Sequence, residues 1–328
     1  IACWEKSRDI EDTFPTVHRN LALGYYNKQN NGQKAQKSLE TAYALNPSDA
    51  RVLMELDQLY KKLNINISTR LSILEKAPEQ VNFRDDLYLE YITLLNLSGK
   101  EEEALHLINT RKFHPWEGGE GKVPAQYLYS HAALAKKAIF KGDYETAITH
   151  LNETFHYPHH LGEGKIHGAQ ENDFNYWLGC AYEGLGDTNK AILYWEKASQ
   201  GLSTPTAAMY YNDQQPDKIF YQGLALKKLG KTKQAATRFQ TLLEFGETQL
   251  KVPFKMDYFA VSLPDLLIFE DDLQIRHEHY CYYLIGLGHL GLGNIEVAQK
   301  VFKRILQQNR YHIGARIHLE HCKKYQSI

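Results

Sequence analysis

The chain has almost no net charge, few cysteines, no long apolar run and none of the short motifs that mark the common catalytic folds. Its 38 Lys and Arg against 39 Asp and Glu leave a formal charge of −1 over 328 residues, which excludes an electrostatically driven nucleic-acid binder. The four cysteines, Cys3, Cys180, Cys281 and Cys322, lie far apart with no Cys-x-x-Cys spacing. Neither a disulfide framework nor a zinc ribbon is encoded, and a reducing, cytoplasmic setting is the expectation. The longest nearly apolar stretch, residues 280–293, is interrupted by His289 and several glycines and falls short of the roughly 20 residues that a membrane span needs. Gly-x-Ser-x-Gly, His-Glu-x-x-His and dinucleotide fingerprints are missing, so hydrolase, metalloprotease and Rossmann chemistries lack motif support and no cofactor is expected. The first residue is Ile and no basic, apolar leader follows; residues 1–14 read as the cut end of a longer polypeptide.

What is present is repetition. Hydrophobic residues make up 43% and charged residues 23%, a globular balance, and the apolar positions recur with a helical period throughout. The clearest unit spans residues 172–199, with Leu178 and Gly179, then Tyr182, Gly186, Ala191, Trp195 and Ala198. Small residues on one helix and an aromatic on the next let two backbones approach closely, which is the tetratricopeptide pattern. The same register returns as Gly223, Gly230, Ala235, Phe239 and as Gly286, Gly293, Ala298, Phe302; weaker copies run through Ala135, Gly142, Ala147, Leu151, through Leu95, Gly99, Ala104, and through Leu21, Ala22, Tyr25, Ala35, Ala42. Residues 50–84 fit as a degenerate unit, with Thr69 where the alanine belongs. The expected fold is therefore all-α: a single tetratricopeptide-repeat superhelix, an α-α solenoid of about seven helical hairpins over residues 1–328.

The spacing is uneven. Units starting near residues 15, 50 and 85 are regular, whereas those starting near 128, 172, 216 and 279 are preceded by insertions near 112–127, 156–171, 203–216 and 246–278. In a solenoid such equivalent connections emerge on one edge, and long loops on a repeat scaffold are a usual seat of function. Two of these loops share Gly-Glu-Gly-Lys, then Val or Ile, then Ala-Gln: residues 113–126 and 155–170. Glycines flanking the glutamate permit positive φ, and they leave Glu120, Lys122, Glu163 and Lys165 for directed contacts. Two readings stand side by side: these groups cap helices and bridge neighbouring loops, or they meet a ligand. The third loop offers Tyr211, Asn212 and Asp213, and the fourth Asp257 and Tyr258; aromatic faces beside amides and carboxylates suit sugars. Although His156, His159, His160 and His167 crowd one loop, no second short His or Cys spacing completes a metal set, and none is expected. His318, His321 and Cys322 share a face of the last helix, read as packed or solvated.

The segments HPWEGGEGKV, LGEGKIHGAQEND, YYNDQQPDKIFYQG and DYFAVSLPDLLIFEDDL resemble the C-terminal region of a bacterial family in which tetratricopeptide repeats follow a mutarotase-like domain of unknown function. The resemblance implies that the absent N-terminal domain is the natural partner and that carbohydrate is the ligand class, and it transfers no catalytic assignment. It marks Trp116, Glu117, Glu120, Lys122, His159, Glu163, Lys165, Gln170, Glu171, Asn172, Asp173, Asn212, Asp213, Asp257 and Tyr258. The function expected first is a non-catalytic interaction scaffold that docks its own N-terminal domain or another protein through the inserted edge. The alternative is a carbohydrate-binding or catalytic edge of a composite site. Peptide capture in the groove ranks third, because the groove positions Asp173, Tyr176, Glu183, Asp217, Phe220 and Tyr283 offer little to a C-terminal carboxylate.

Overall fold

The computed structural model describes residues 1–206, 215–254 and 268–325. All regular structure among them is helical, so the fold class is the all-α one that the repeats imply. The chain forms two compact units, one comprising Ile1–Lys100, Glu117–Gly119 and Asp265–Asp272, the other Glu101–Trp116, Glu120–Pro264 and Leu273–Ile328.

The first unit contains α1 (Ala2–Ile10), α2 (Pro15–Gln29), α3 (Gly32–Leu45), α4 (Ala50–Lys62), α5 (Ile67–Glu75), α6 (Pro78–Phe83) and α7 (Asp85–Leu97). Helices α2 and α3 make a regular hairpin. Pro15 starts α2, Asn30 ends it in the left-handed region at φ 49°, and the Asn31 side chain accepts from the Lys34 N–H at 3.0 Å to cap α3. Their facing residues Leu21, Ala22, Ala35, Leu39 and Ala42 are fully buried. The degenerate unit is joined differently. Next to Thr69, the fully buried Arg70 on α5 donates from Nε to Asp57 Oδ1 at 2.8 Å and from Nη2 to Asp57 Oδ2 at 2.5 Å on α4, and also reaches Glu90 Oε2 on α7 at 2.9 Å. A paired guanidinium takes the place of the small-residue contact that lets an ordinary pair approach.

Residues 268–272, the end of the fourth insertion, belong to this unit. Phe269 is 1% exposed, edge-on to Tyr26 at 5.2 Å. The Asn27 amide donates to the Ile268 carbonyl at 2.9 Å and accepts from the Glu270 N–H at 3.0 Å. Lys28 pairs with Glu270 at 2.9 Å, and Lys62 pairs with Asp271. The chain thus leaves the second unit after its seventh helix, contributes an apolar anchor to the first, and returns.

The second unit holds α8 (Glu101–Thr110), α9 (Lys122–Lys141), α10 (Tyr144–Glu153), α11 (Asn172–Gly184), α12 (Thr188–Ala198), α13 (Pro216–Lys228), α14 (Thr232–Gln249), α15 (Leu273–Gly291), α16 (Ile295–Gln308) and α17 (Ile313–Tyr325). Pairs α9/α10, α11/α12, α13/α14 and α15/α16 are hairpins around one continuous core. In the last three the same device recurs: a Cβ added to Gly179, Gly223 or Gly286 would lie 2.3, 2.3 or 2.4 Å from Trp195, Phe239 or Phe302. Only glycine lets the aromatic of the second helix lie flat against the first helix. The hairpin turn is equally regular; Gly186, at φ 79°, precedes Asp187, whose carboxylate accepts from the Lys190 N–H at 3.0 Å. Helix α17 packs against first helices of the preceding hairpins, with His318 and His321 beside Phe220, Tyr283 and Trp177.

Among the described residues of the second unit, the inserted connections cover 111–116, 120–121, 154–171, 199–206, 215 and 250–254. Helix α9 already begins at Lys122, so the last residues of the first expected insertion are helical: Val123, Gln126 and Tyr127 are buried on its inner side.

Candidate functional site

The two Gly-Glu-Gly-Lys loops pack on one another. Phe113, 2% exposed, donates its N–H to the His160 carbonyl at 2.8 Å. Opposite it Gly162 sits at φ 77°, where a Cβ would lie 2.7 Å from the Phe113 carbonyl oxygen; the position excludes every other residue. Glu163 reaches across so that its Oε2 accepts from the Gly121 N–H at 2.7 Å. That N–H belongs to the residue before α9, so the carboxylate also faces the positive end of a helix dipole. Partial burial nevertheless pushes the Glu163 carboxyl above its ordinary value, against the lowering effect of the Gly121 N–H, and the charge of Glu120 adds to the rise.

The second loop is tied in turn to its own ends and to the third. Lys165 pairs with Glu171, donates to the Phe155 carbonyl at 3.3 Å and lies 5.7 Å from the Phe155 ring centroid. Asn172 donates to the carbonyls of Ala198 at 2.8 Å and Gln200 at 2.7 Å, closing the end of α12 onto the start of α11. The Gln170 side-chain oxygen accepts from the Gln215 N–H at 3.1 Å. Asp173 pairs with Lys218 at 2.5 Å, and that ammonium also covers the Phe174 ring at 4.9 Å. Burial works against the Lys218 charge, and the carboxylates of Asp173 and Asp217 outweigh it and raise its pKa.

Of the sequence-predicted residues, Glu163, Lys165, Gln170, Glu171, Asn172 and Asp173 are thus brought into one network, mostly with internal partners. Glu120 and Lys122 are exposed at the start of α9, His159 is exposed on a single 3-10 turn, and Trp116 is half-buried at the rim. Glu117 falls in the first unit. Tyr211, Asn212, Asp213, Asp257 and Tyr258 lie outside the described residues. Phe113, Gln215 and Lys218 were not singled out by sequence reasoning, and His160 entered it only as one of four crowded histidines. Two signals pointed to them: both loops begin Phe-His, and three cross-repeat contacts, Gln170 with Gln215, Asp173 with Lys218 and Glu183 with Lys228, share a separation of 45 residues, close to the local repeat length. Among the described residues no three His, Cys, Asp or Glu side chains converge as a metal site would require. No described helix is long and apolar enough to cross a membrane.

Residues 173–200 and 219–244 each match a tetratricopeptide repeat. These are α11/α12 and α13/α14, the pairs with the clearest glycine–aromatic contact. Similar solved structures include a tetratricopeptide repeat protein from Parabacteroides merdae, at 12% identity and TM-score 0.44, covering 94% of this chain and 98% of that one. Another is that of Naa15/Naa10 bound to HypK-THB, at 12% identity and TM-score 0.40, covering 99% of this chain and 53% of that one. A third is the P58(IPK) TPR domain, at 14% identity and TM-score 0.34, covering 95% of this chain and 98% of that one. Tetratricopeptide repeats are a protein-interaction fold, in which nearest-neighbour stacking presents extended surfaces to partners.

Proposed function

We propose that the chain is a non-catalytic tetratricopeptide scaffold that docks a protein partner through the loop edge of its second unit. The observation that carries this reading is the mutual bracing of residues 111–116 and 120–121 against residues 154–171 by Phe113, Gly162 and Glu163. Both backbones are held before a partner arrives, which lowers the ordering cost of association. The outward groups, Glu120, Lys122, His159, Ile166 and His167, mix charge with an apolar side chain in the manner of an interface rim and centre. Trp116 supplies an aromatic anchor in this reading. The partner to test first is the mutarotase-like domain that the sequence resemblance implies.

Titration calorimetry of the intact chain with that domain, purified separately, is expected to show association at tens of micromolar or tighter. A Lys122→Glu, Ile166→Asp double variant is expected to weaken it about tenfold, with helicity unchanged. Absence of association at tens of micromolar overturns the reading. The carboxyl of Glu163, raised by burial beside Glu120, is the feature that favours a carbohydrate role instead. A thermal shift of the intact chain on adding oligosaccharides, lost in Glu163→Gln, would support that second reading.

A further inference from the structure

At the end of the hairpins opposite the inserted connections, the turns of the second unit form a row of protruding tips. Three of them share a sequence, a leucine followed by a glycine: Leu185 before Gly186, Leu229 before Gly230 and Leu292 before Gly293. Each glycine is left-handed, at φ 79°, 73° and 86°, and an added Cβ would meet nothing within 4 Å beyond its own chain neighbours. The tips therefore stand clear of the protein. Contacts between repeats set them side by side. Lys228, next to the second leucine, pairs at 2.5 Å with Glu183, two residues before the first, and the third leucine lines one shallow recess with Ala236 and Thr237 of α14.

Packing does not account for these leucines: Leu185 is 46% and Leu292 36% exposed, and Leu229 is half-buried. A single exposed leucine is ordinary, but here the same turn position is apolar three times and carries cations at its centre. Lys227, Lys231 and Lys233 surround the middle tip, are exposed, and have no carboxylate partner among the described residues. Asp187 and Glu296 flank the outer tips, and Asp187 is held by Lys190 at 3.2 Å, so the unpaired positive charge is concentrated in the middle of the row. A peptide partner needs a groove or a sheet edge to receive its side chains, and a row of convex tips offers neither. Protruding leucines around a cluster of lysines fit a deformable, negatively charged layer, whose headgroups take the ammonium groups and whose apolar boundary takes the leucines.

We propose that the turn edge of the second unit binds the surface of an anionic lipid bilayer, with Leu185, Leu229 and Leu292 entering the headgroup region and Lys227, Lys231 and Lys233 meeting its negative charge. The association is peripheral and reversible. Each lysine raises the partition coefficient about fivefold, and apolar insertion is the second signal that such binding needs. The inserted loops lie at the other end of the same hairpins, so the inference stands whether or not that edge docks a domain.

Co-sedimentation of the intact chain with sucrose-loaded vesicles tests this. Vesicles of phosphatidylcholine with about 30 mol% phosphatidylserine are expected to bind it at least about tenfold more tightly than phosphatidylcholine alone. Lys227→Gln, Lys231→Gln and Lys233→Gln together are expected to lower the partition coefficient about a hundredfold. The same change of charge at Lys37, Lys76 and Lys112, exposed elsewhere on the chain, is expected to lower it less than about threefold, because separated charges are screened. Leu185→Ser with Leu292→Ser is expected to lower it about fivefold with helicity unchanged, since both side chains are exposed in the free protein. Equal binding to neutral and anionic vesicles, or an equal loss in the two lysine triples, would overturn the proposal. So would full-strength binding by the leucine variant, which would assign the lysines to an acidic protein instead.

Discussion

Removal of the Glu163 carboxylate is the most direct probe of whether the loop edge is built in advance. Glu163→Ala leaves the Gly121 N–H without its acceptor at 2.7 Å. A hydrogen bond to a charged group contributes about 1.5–3 kcal/mol when buried. Here the groups are only partly buried and burial already works against the carboxylate, so solvent offsets part of the loss and about 1 kcal/mol is expected. That corresponds to roughly fivefold faster hydrogen exchange at the Gly121 and Phe113 amides if the loops open as a unit. Glu163→Gln keeps an acceptor oxygen and is expected to change exchange less than about twofold at neutral pH. The pH dependence has a definite sign. The folded-state carboxyl is raised above its ordinary 4.5, so the folded loops bind this proton more tightly than the unfolded chain does. Its stabilising contribution is complete below 4.5 and is lost as pH rises through the raised value. Protection of Gly121 in the wild type should increase on acidification across that window, and the Gln variant should be flat there. An Ala variant that exchanges like the wild type, or a Gln variant with the wild-type pH profile, would refute the bracing argument.

Two further substitutions test the first unit. Phe269→Ala removes a ring that is 1% exposed and is expected to lower the stability of α2, read from its slowest-exchanging amides, by about 3–5 kcal/mol; the control Phe83→Ala, at a ring 82% exposed, should stay within about 0.5 kcal/mol. Arg70→Met strands Asp57, whose side chain is 3% exposed, and is expected to cost about 3–5 kcal/mol in urea denaturation, whereas adding Asp57→Leu should recover most of it because Glu90 keeps Lys61 at 2.7 Å. A double variant as unstable as the single one would show that the buried pair is not what joins α4 to α5.

The parts of this fold that were legible in sequence are those decided between near neighbours. Gly179 with Trp195 and Gly223 with Phe239 are each separated by one hairpin, and their close approach follows from residue size alone. The paired Gly-Glu-Gly-Lys loops were legible as ordered and glycine-dependent, but not the choice of partner: that Glu163 crosses to Gly121 depends on how the two hairpins stack. Long-range placements were not legible. Periodicity put His318 and Cys322 on one face, yet nothing in that period says that the face meets Phe220. Nothing in the sequence pairs the apolar run before Glu270 with Asn27, which lies 241 residues from Ile268, beyond the reach of any local pattern. Arg70 reads as a surface residue until its bidentate contact with Asp57 is seen.

These long-range placements share a cause. Hairpins that stack only on their neighbours leave apolar surface on their first helices, and such patches invite association unless something covers them. In each unit the chain supplies its own cover, and the chemistry of the two covers differs. On α2 and α4, residues 268–272 are held by the Asn27 amide used in both directions and by ion pairs from Lys28 and Lys62, so the Ile268 carbonyl and the Glu270 N–H are partnered and the Phe269 anchor is fully buried. On α11, α13 and α15, α17 offers small side chains and a histidine, and it leaves His318 Nε2 and Trp177 Nε1 unsatisfied. An unsatisfied buried group weakens a contact by its desolvation cost, whereas a satisfied network carries no such penalty. By this argument the first cover is the more firmly held of the two. Local opening, measured amide by amide, should accordingly be slow at 268–272 and fast along α17.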